Sequence, residues 1–398
     1  DHRNETPYNT AYFLLQNFIP TLNSIFAKAR YFGVTSYGIN LASFSSAVLF
    51  IMLLILEVCA LWKLVKLLTT DGGVMVARVS GSIFYGNALL SLFLSSWFMT
   101  SWRSLSTYWL RTELAARLNI KPDLRIRKRT IFVTVFICVC ALVEHILSMM
   151  SATGLAIPPE QYFKKYILNS HGFLLQPQDY TLWLAIPTFV LSKLATALWN
   201  FQDLIIILIS MGLTSRYHRL NLYVAQLVRF EKRFRRTRKF GYELYLQAQV
   251  WRRVREAYSR QAELVRIVDR QLGALVLLSN INNLYFICLQ LYLGFHREKG
   301  SPIDRAYYLI SLSWLVFRAC GVVLAAADVH VHSRRAVNSL NMCPSATYNV
   351  EIQRLKYRLS NDFVALSGMG LFSLKRQLLL EVAAVIVKYE LVLIQYDH

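Results

Sequence analysis

Seven stretches of this chain are each about as long and as apolar as a helix that crosses a lipid bilayer. A helix rises about 1.5 Å per residue, so about 20 mostly apolar residues cover the hydrocarbon core. Because lipid offers the backbone no hydrogen-bond partner, such stretches must be helical. The predicted spans are Phe44–Leu64, Ser82–Trp102, Ile131–Ser151, Thr181–Leu213, Leu272–Phe295, Ala306–Val329 and Leu371–Tyr396. The sequence therefore predicts an all-α membrane protein with seven transmembrane helices.

The composition agrees with a membrane protein. Hydrophobic residues make up 55% of the 398 residues and charged residues 17%, which is more apolar than a typical soluble domain. The formal net charge of +21 could also belong to a nucleic-acid-binding protein. The basic residues, however, lie between the apolar stretches instead of forming one basic face. We therefore expect no nucleic-acid partner.

The distribution of Lys and Arg predicts the orientation of the chain. Positive charge beside membrane spans is retained on the cytoplasmic side during insertion. The N-terminal segment and the connections 103–129, 214–271 and 331–370 hold 31 of the 44 Lys and Arg residues, whereas the alternate connections hold seven. This asymmetry predicts a cytoplasmic N-terminus and, after seven spans, an extracellular C-terminus.

Two cytoplasmic connections carry apolar residues at helical spacing, which predicts packed helices in place of disordered loops. The stripes in the longer connection are Leu220, Val224, Leu227 and Val228, followed by Trp251, Val254, Tyr258, Leu264, Val265 and Val268. They predict helices that extend the fourth and fifth spans into the cytoplasm. The second connection carries Ile352, Leu355, Leu359 and Phe363, a pattern expected to pack on those extensions. The outer loop 157–180, rich in Pro and aromatic residues, is either a lid over a pocket or an ordinary connector.

No catalytic, cofactor-binding or metal-binding motif is present. The sequence lacks a Gly-rich phosphate loop, an HExxH motif and a nucleophile elbow. The six cysteines form no CxxC pair, so neither a zinc site nor a disulfide framework is predicted. We therefore expect no enzyme activity, no cofactor and no bound metal.

Polar residues inside the predicted spans are the candidate ligand contacts. A charged side chain in the middle of a bilayer is costly, so such residues usually face the interior of the bundle. Hydroxyl-rich ligands such as sugars need donors, acceptors and a flat aromatic face. The same residues could instead join helices or sit in interfacial belts, and this alternative stays open. The candidates are Tyr85, Asn87, Glu144, His145, Trp199, Asn200, Asp203, Asn282, Trp314 and Arg318.

The last span ends in the most specific motif of the chain, the run Lys388-Tyr389-Glu390-Leu391-Val392-Leu393-Ile394-Gln395-Tyr396-Asp397. This run resembles the terminal TYhhhhhQF signature of insect gustatory receptors, and its core is most similar to the sugar-receptor clade. Segments 215–221, 251–258 and 365–368 are also similar to that family. Two positions depart from the signature, because Lys388 replaces the usual Thr and Tyr396 the usual Phe.

The resemblance implies a tetrameric, ligand-gated, non-selective cation channel in the plasma membrane of taste neurons. It implies a mono- or disaccharide ligand, surrounding membrane lipids, permeation of monovalent and divalent cations, and assembly as a homotetramer or as a heteromer with sister receptors. By the same resemblance, Leu391, Val392 and Gln395 would line the pore, while spans one to six would hold the sugar.

These expectations divide the chain into six segments. They are a cytoplasmic N-terminal segment 1–43, a ligand-binding bundle formed by 44–213 and 272–330, cytoplasmic anchors 214–271 and 331–370, and a pore-lining helix 371–398. Two other functional classes remain as alternatives. A secondary transporter would also place polar residues at the membrane midplane, and a metabotropic seven-helix chemoreceptor would share the number of spans.

Overall fold

Every long element of the described chain is an α-helix. The computed structural model describes residues 7–36, 41–68, 75–115, 118–154, 158–234, 242–295, 302–345 and 348–396. The helices, numbered in chain order, are α1 (Pro7–Ala29), α2 (Leu41–Leu68), α3 (Met75–Leu114), α4 (Ile126–Thr153), α5 (Pro159–His171), α6 (Leu182–Phe234), α7 (Tyr242–Phe295), α8 (Pro302–Arg334), α9 (Ala336–Asn341), α10 (Val350–Asn361) and α11 (Gln377–Tyr396).

Six helices in the described ranges are long and apolar enough to cross a membrane. These segments are Ser43–Lys66, Val79–Leu114, Ile126–Thr153, Leu182–Lys232, Ala248–Gly294 and Pro302–Asn341, and they coincide with the first six predicted spans. The helix at the seventh predicted span begins six residues later than predicted, since α11 begins at Gln377 and the predicted span at Leu371. Residues 371–376 instead form the second half of a tight turn, residues 366–374, and the short connection to α11, with an antiparallel bridge between Ser367 and Ser373.

Helices α6 and α7 form the axis of the molecule. They contain 53 and 54 residues and so are each roughly 80 Å long, more than twice the thickness of a bilayer core. The extensions predicted for the fourth and fifth spans are therefore parts of α6 and α7 themselves. Val224, Trp251 and Val254 on these extensions are fully buried, as their helical spacing predicted. In its most apolar part α6 is also the most buried of the six long helices.

The peripheral helices show large apolar side chains on the outside. In the most apolar stretch of each helix, only 17% of the residues of α2 and 11% of those of α4 are buried, which suits helices that face lipid. Helix α1, for which the sequence made no structural prediction, packs across α3 and α4. Phe26 of α1 meets Trp102 of α3 edge to face at 5.1 Å, and the Trp102 indole donates to Asn23 Oδ1 at 2.7 Å.

Helices α9 and α10 pack on α6 and α7 at the end of the bundle opposite α5. Ile352, Leu355 and Leu359 of α10 are buried as predicted, but Phe363 lies beyond the helix end and is 47% exposed. Arg255 on α7 donates to the Glu351 carboxylate on α10 at 2.7 Å. This charged hydrogen bond lowers the pKa of Glu351 below its ordinary value.

Candidate functional site

A polar cavity of about 850 Å³ lies between α3, α4, α5, α6, α7 and α8, at the end of the bundle where α5 sits. Its volume falls within the range of roughly 300–1,000 Å³ that is typical of small-molecule sites. The lining combines aromatic rings with carboxylates, hydroxyls, amides and a lysine. Such a surface suits a ligand that carries many hydroxyl groups and also has apolar faces.

Helix α5 and the turn after it cover one side of this cavity. The outer loop was predicted as a lid or a connector, and the structure makes most of it a helix with Tyr166, His171 and Phe173 against the cavity. Phe173 can pack there because Gly81 of α3 has no side chain. A Cβ at Gly81 would lie 2.3 Å from the Phe173 ring. The close approach of α3 to this loop therefore depends on Gly81.

The bottom of the cavity is closed by Arg318, which joins three helices. Its Nε forms an ion pair with Asp203 Oδ2 of α6 at 2.8 Å. Its two terminal nitrogens donate to Asn200 Oδ1 of α6 at 2.7 Å and to Asn283 Oδ1 of α7 at 3.2 Å. Asp203 also accepts hydrogen bonds from Ser279 and Asn283. The charged pair is thus desolvated but densely bonded, as a buried ion pair must be to persist.

Trp199 lines the cavity beside this network, and much of its surface is already engaged. The Arg318 guanidinium carbon lies 4.4 Å from the Trp199 ring centroid, which is a cation–π contact. The Phe286 ring centroid is 4.7 Å away, and the indole N–H donates to Asn283 at 3.0 Å. Arg318 and Trp199 therefore contribute shape and rigidity to the site, with little spare hydrogen-bonding capacity.

A second polar cluster, formed by Glu144, Gln290, Ser311 and Trp314, has spare capacity. Gln290 of α7 donates to the Ser311 hydroxyl at 3.0 Å, and Ser311 donates to the Glu144 carboxylate at 2.9 Å. Gln290 Oε1 and Trp314 Nε1 are buried and have no hydrogen-bond partner among the described residues. This cluster thus contributes one unmatched acceptor and one unmatched donor to the cavity wall. His171 Nε2 and Arg318 Nε, which also line the cavity, have no hydrogen-bond partner among the described residues either, although Arg318 Nε is ion-paired with Asp203.

Lys193 of α6 places a cation in the cavity wall beside α5. Its ammonium group donates to the Tyr166 hydroxyl and lies 4.5 Å and 4.6 Å from the ring centroids of Tyr166 and Phe189. On α5, burial and then the charge of Lys193 lower the pKa of His171 to about 4. Burial raises the pKa of Tyr166 to about 12. His171 is therefore neutral at physiological pH, with Nδ1 3.3 Å from the Tyr85 hydroxyl.

The structure brings seven of the ten candidate ligand contacts together around one cavity. These seven are Tyr85, Glu144, His145, Trp199, Asn200, Trp314 and Arg318. Asp203 lies below the cavity as the partner of Arg318. Asn87 and Asn282 are buried but do not line the cavity. The candidate pore residues Leu391, Val392 and Gln395 lie in the last turns of α11, and their side chains fall outside the described residues.

Sequence reasoning missed several residues that the cavity contains. Lys193 is a charge inside a predicted span, so the rule that selected Glu144 and Arg318 could have found it. Gln290 and Ser311 carried no such signal, because neutral polar residues are common in membrane helices. Among the described residues no group of three or more His, Cys, Asp or Glu side chains could hold a metal ion.

The fold resembles that of a solved insect receptor. The olfactory receptor OR5 from Machilis hrabei superposes with a TM-score of 0.70 over 97% of this chain and 99% of that chain, at 14% sequence identity. Its complex with eugenol gives a TM-score of 0.67. At this identity the likeness establishes the fold alone.

Sequence comparisons identify the family. Curated relatives from Drosophila melanogaster include the gustatory receptor for sugar taste 64a, which is 30% identical over 342 residues covering 82% of this chain and 71% of that protein. The gustatory receptor 5a for trehalose is 29% identical over 78% of this chain and 68% of its own length. A family model described as "Trehalose receptor" matches residues 32–398. The chain therefore belongs to the trehalose receptor family of insect gustatory receptors.

Proposed function

We propose that this protein is a sugar receptor whose ligand occupies the cavity between α3 and α8, and that it works as a ligand-gated cation channel. The main support is two unmatched buried groups in the cavity wall that face no charged partner, Gln290 Oε1 and Trp314 Nε1. A buried acceptor and a buried donor are costly when unpaired, and one hydroxyl group can satisfy both kinds of partner. A sugar supplies several hydroxyls on a small rigid frame.

The rest of the wall suits a neutral sugar. Glu144 can accept further hydrogen bonds from hydroxyl groups, since Ser311 is the one hydrogen-bond donor that contacts it among the described residues. Tyr307 and Phe173 provide aromatic surface near α5. The relatives named for sugar taste and for trehalose point to the same ligand class. The cavity is larger than one hexose ring, so it has room for a mono- or a disaccharide.

The channel proposal rests on the family and on α11. This helix ends with the Tyr389–Gln395 motif that resembles the family signature, and its mostly apolar sequence suits a pore that closes by excluding water. In the proposal, four copies surround one pore, Leu391, Val392 and Gln395 line it, and the extended α6 and α7 anchor the subunits on the cytoplasmic side. The concentration of Lys and Arg in alternate connections supports that orientation.

Electrophysiology tests the proposal. The chain would be expressed in cultured cells and currents recorded during application of mono- and disaccharides, including trehalose. Concentration-dependent currents with single-channel steps support a ligand-gated channel, and Gln395→Ala should change permeation or block without changing the sugar preference. If surface-expressed protein gives no current with any sugar, including after co-expression of sister receptors, the proposed function is wrong. A tag after His398 should be accessible from outside the cell.

A further inference from the structure

A single helix connects the cavity with the turn that precedes α11. Phe286 and Gln290 of α7 line the cavity, and Asp269 lies on the same helix. The 21 residue-to-residue steps between Asp269 and Gln290 span about 30 Å at the rise of an α-helix. Helix α7 is continuous between these positions and contains no proline there, so it forms an unbroken connection from the cavity to Asp269.

Asp269 holds the turn formed by residues 366–374. Its carboxylate accepts a hydrogen bond from the Ser367 backbone N–H at 2.6 Å and from the Ser367 hydroxyl at 2.9 Å. The Ser367 hydroxyl oxygen in turn accepts from the Gly370 N–H at 3.0 Å. One carboxylate on α7 thus organises the hydrogen bonds of the turn, and ionised acceptors make the stronger kind of hydrogen bond.

The 366–374 turn is tight and seated directly on α7. The Leu374 N–H donates to the Leu366 carbonyl at 2.8 Å, and both side chains are fully buried. Gly273, one turn along α7 from Asp269, lets the backbone of the turn come close. A Cβ at Gly273 would lie 3.1 Å from the Met369 backbone nitrogen. The turn is therefore packed directly against α7.

The residues on either side of the 366–374 turn contact α8, and the turn leads directly into α11. His330 Nδ1 of α8 lies 2.9 Å from the Val364 carbonyl oxygen, and Arg376 donates to Asp328 of α8 at 2.7 Å. α11 begins at Gln377, three residues after Leu374. Helices α7 and α8 both line the cavity, so two of its wall helices meet at the start of α11.

We propose that the contact between Asp269 and Ser367 couples the ligand cavity to α11, with both residues acting as positioning residues for gating. This inference rests on the proposed channel function. Ligand binding would shift α7 relative to α8, and the 366–374 turn would carry that shift to the first turn of α11. Neither residue lines the cavity, so their loss should alter gating and leave sugar binding in place.

The experiment compares variants of the full-length receptor in cells and in detergent. We expect Ser367→Ala to raise the half-maximal sugar concentration roughly tenfold and to lower the maximal current per surface receptor, because it removes two hydrogen bonds. Ser367→Thr keeps the hydroxyl and should restore most of the response. Ser373→Ala, on the opposite side of the same turn, is the matched control and should behave like the wild type. Asp269→Ala should resemble Ser367→Ala, and the double variant should be no worse than Asp269→Ala alone.

Sugar binding is read separately, as the thermal stabilisation of purified receptor by sugar. Unchanged stabilisation with a shifted current response supports the coupling role. The coupling role is overturned if the currents of both Ser367→Ala and Asp269→Ala depend on sugar concentration as in the wild type. It is also overturned if the variants lower the melting temperature and leave gating unchanged. Should Asp269→Ala fail to reach the surface, Ser367→Ala and Asp269→Asn decide by the same criteria. Absence of any sugar current in the wild type would instead overturn the proposed function.

Discussion

Arg318 of α8 and Asp203 of α6 form an ion pair, 2.8 Å from Nε to Oδ2, with 4% and 0% of their side chains exposed. The pair lies directly under the cavity. Arg318 also donates hydrogen bonds to Asn200 and Asn283 and makes a cation–π contact with Trp199. The sequence predicts both charges as ligand contacts, because they lie inside predicted spans. The structure makes Arg318 a cross-link between three helices, so its principal contribution is to hold the cavity floor in one shape.

Asp203→Ala should destabilise the receptor by about 3–5 kcal/mol, because it leaves the Arg318 charge buried without its ion-pair partner. The melting temperature of detergent-purified protein measures this. The double variant Asp203→Leu with Arg318→Met removes both charges and should recover much of the loss. The exposed pair of Arg252 and Glu256 offers a control, since Arg252→Gln should cost less than about 1 kcal/mol. Equal effects at the two pairs would contradict the assigned role.

Gly81→Ala should impair the sugar response, because the new methyl group would occupy the position of the Phe173 ring. Phe173 would have to move into the cavity or away from α3, and overpacking of this kind costs about 1–3 kcal/mol. The expected result is a lower maximal current and a higher half-maximal sugar concentration at normal surface expression. The second variant Phe173→Leu, combined with Gly81→Ala, should relieve the clash. If Gly81→Ala gave the same dose–response curve as the wild type, the side of the cavity formed by Gly81 and Phe173 would not contact the ligand.

Gln290→Leu should raise the half-maximal sugar concentration roughly three- to tenfold, because a hydroxyl donating to Oε1 would lose its acceptor. In the wild type, a sugar methylated at the hydroxyl that contacts Gln290 should show the same increase in half-maximal concentration. The Gln290→Leu variant has already lost this contact, so methylation should cause no further increase there. Thr196→Val is the matched control on the cavity wall, since the Thr196 hydroxyl already donates to the Ser192 carbonyl. If the two variants respond alike, Gln290 is not a ligand contact.

The stability of the receptor should fall as the pH drops from about 6.5 towards 4, in part through His171. Burial lowers the pKa of His171 to about 4, whereas an unfolded histidine titrates near 6.5. Between these values the unfolded chain binds more protons than the folded one, so acid favours unfolding. His171→Gln removes this contribution and should narrow the difference in melting temperature between pH 7 and pH 5. An unchanged difference would mean that other groups carry the acid sensitivity.

The sequence alone determined the class of the fold and much of its layout. A bilayer requires about 20 apolar residues per crossing, and six of the predicted spans coincide with helices that are long and apolar enough to cross a membrane. The helical stripes that include Val224 and Val254 predicted the extensions of α6 and α7, because helical spacing of buried residues is a local property. The C-terminal motif led to the family that the comparisons identified.

Only the tertiary structure decided which polar residues meet at the cavity. It placed Gln290 on the wall and Asn282 away from it, although both lie on α7. It also set α5 along one side of the cavity and the 366–374 turn against Asp269. Apolar length and helical spacing are local and can be seen in one chain segment. The face that a long helix turns towards its neighbours depends on how all the helices pack, and that information is distributed over the whole chain.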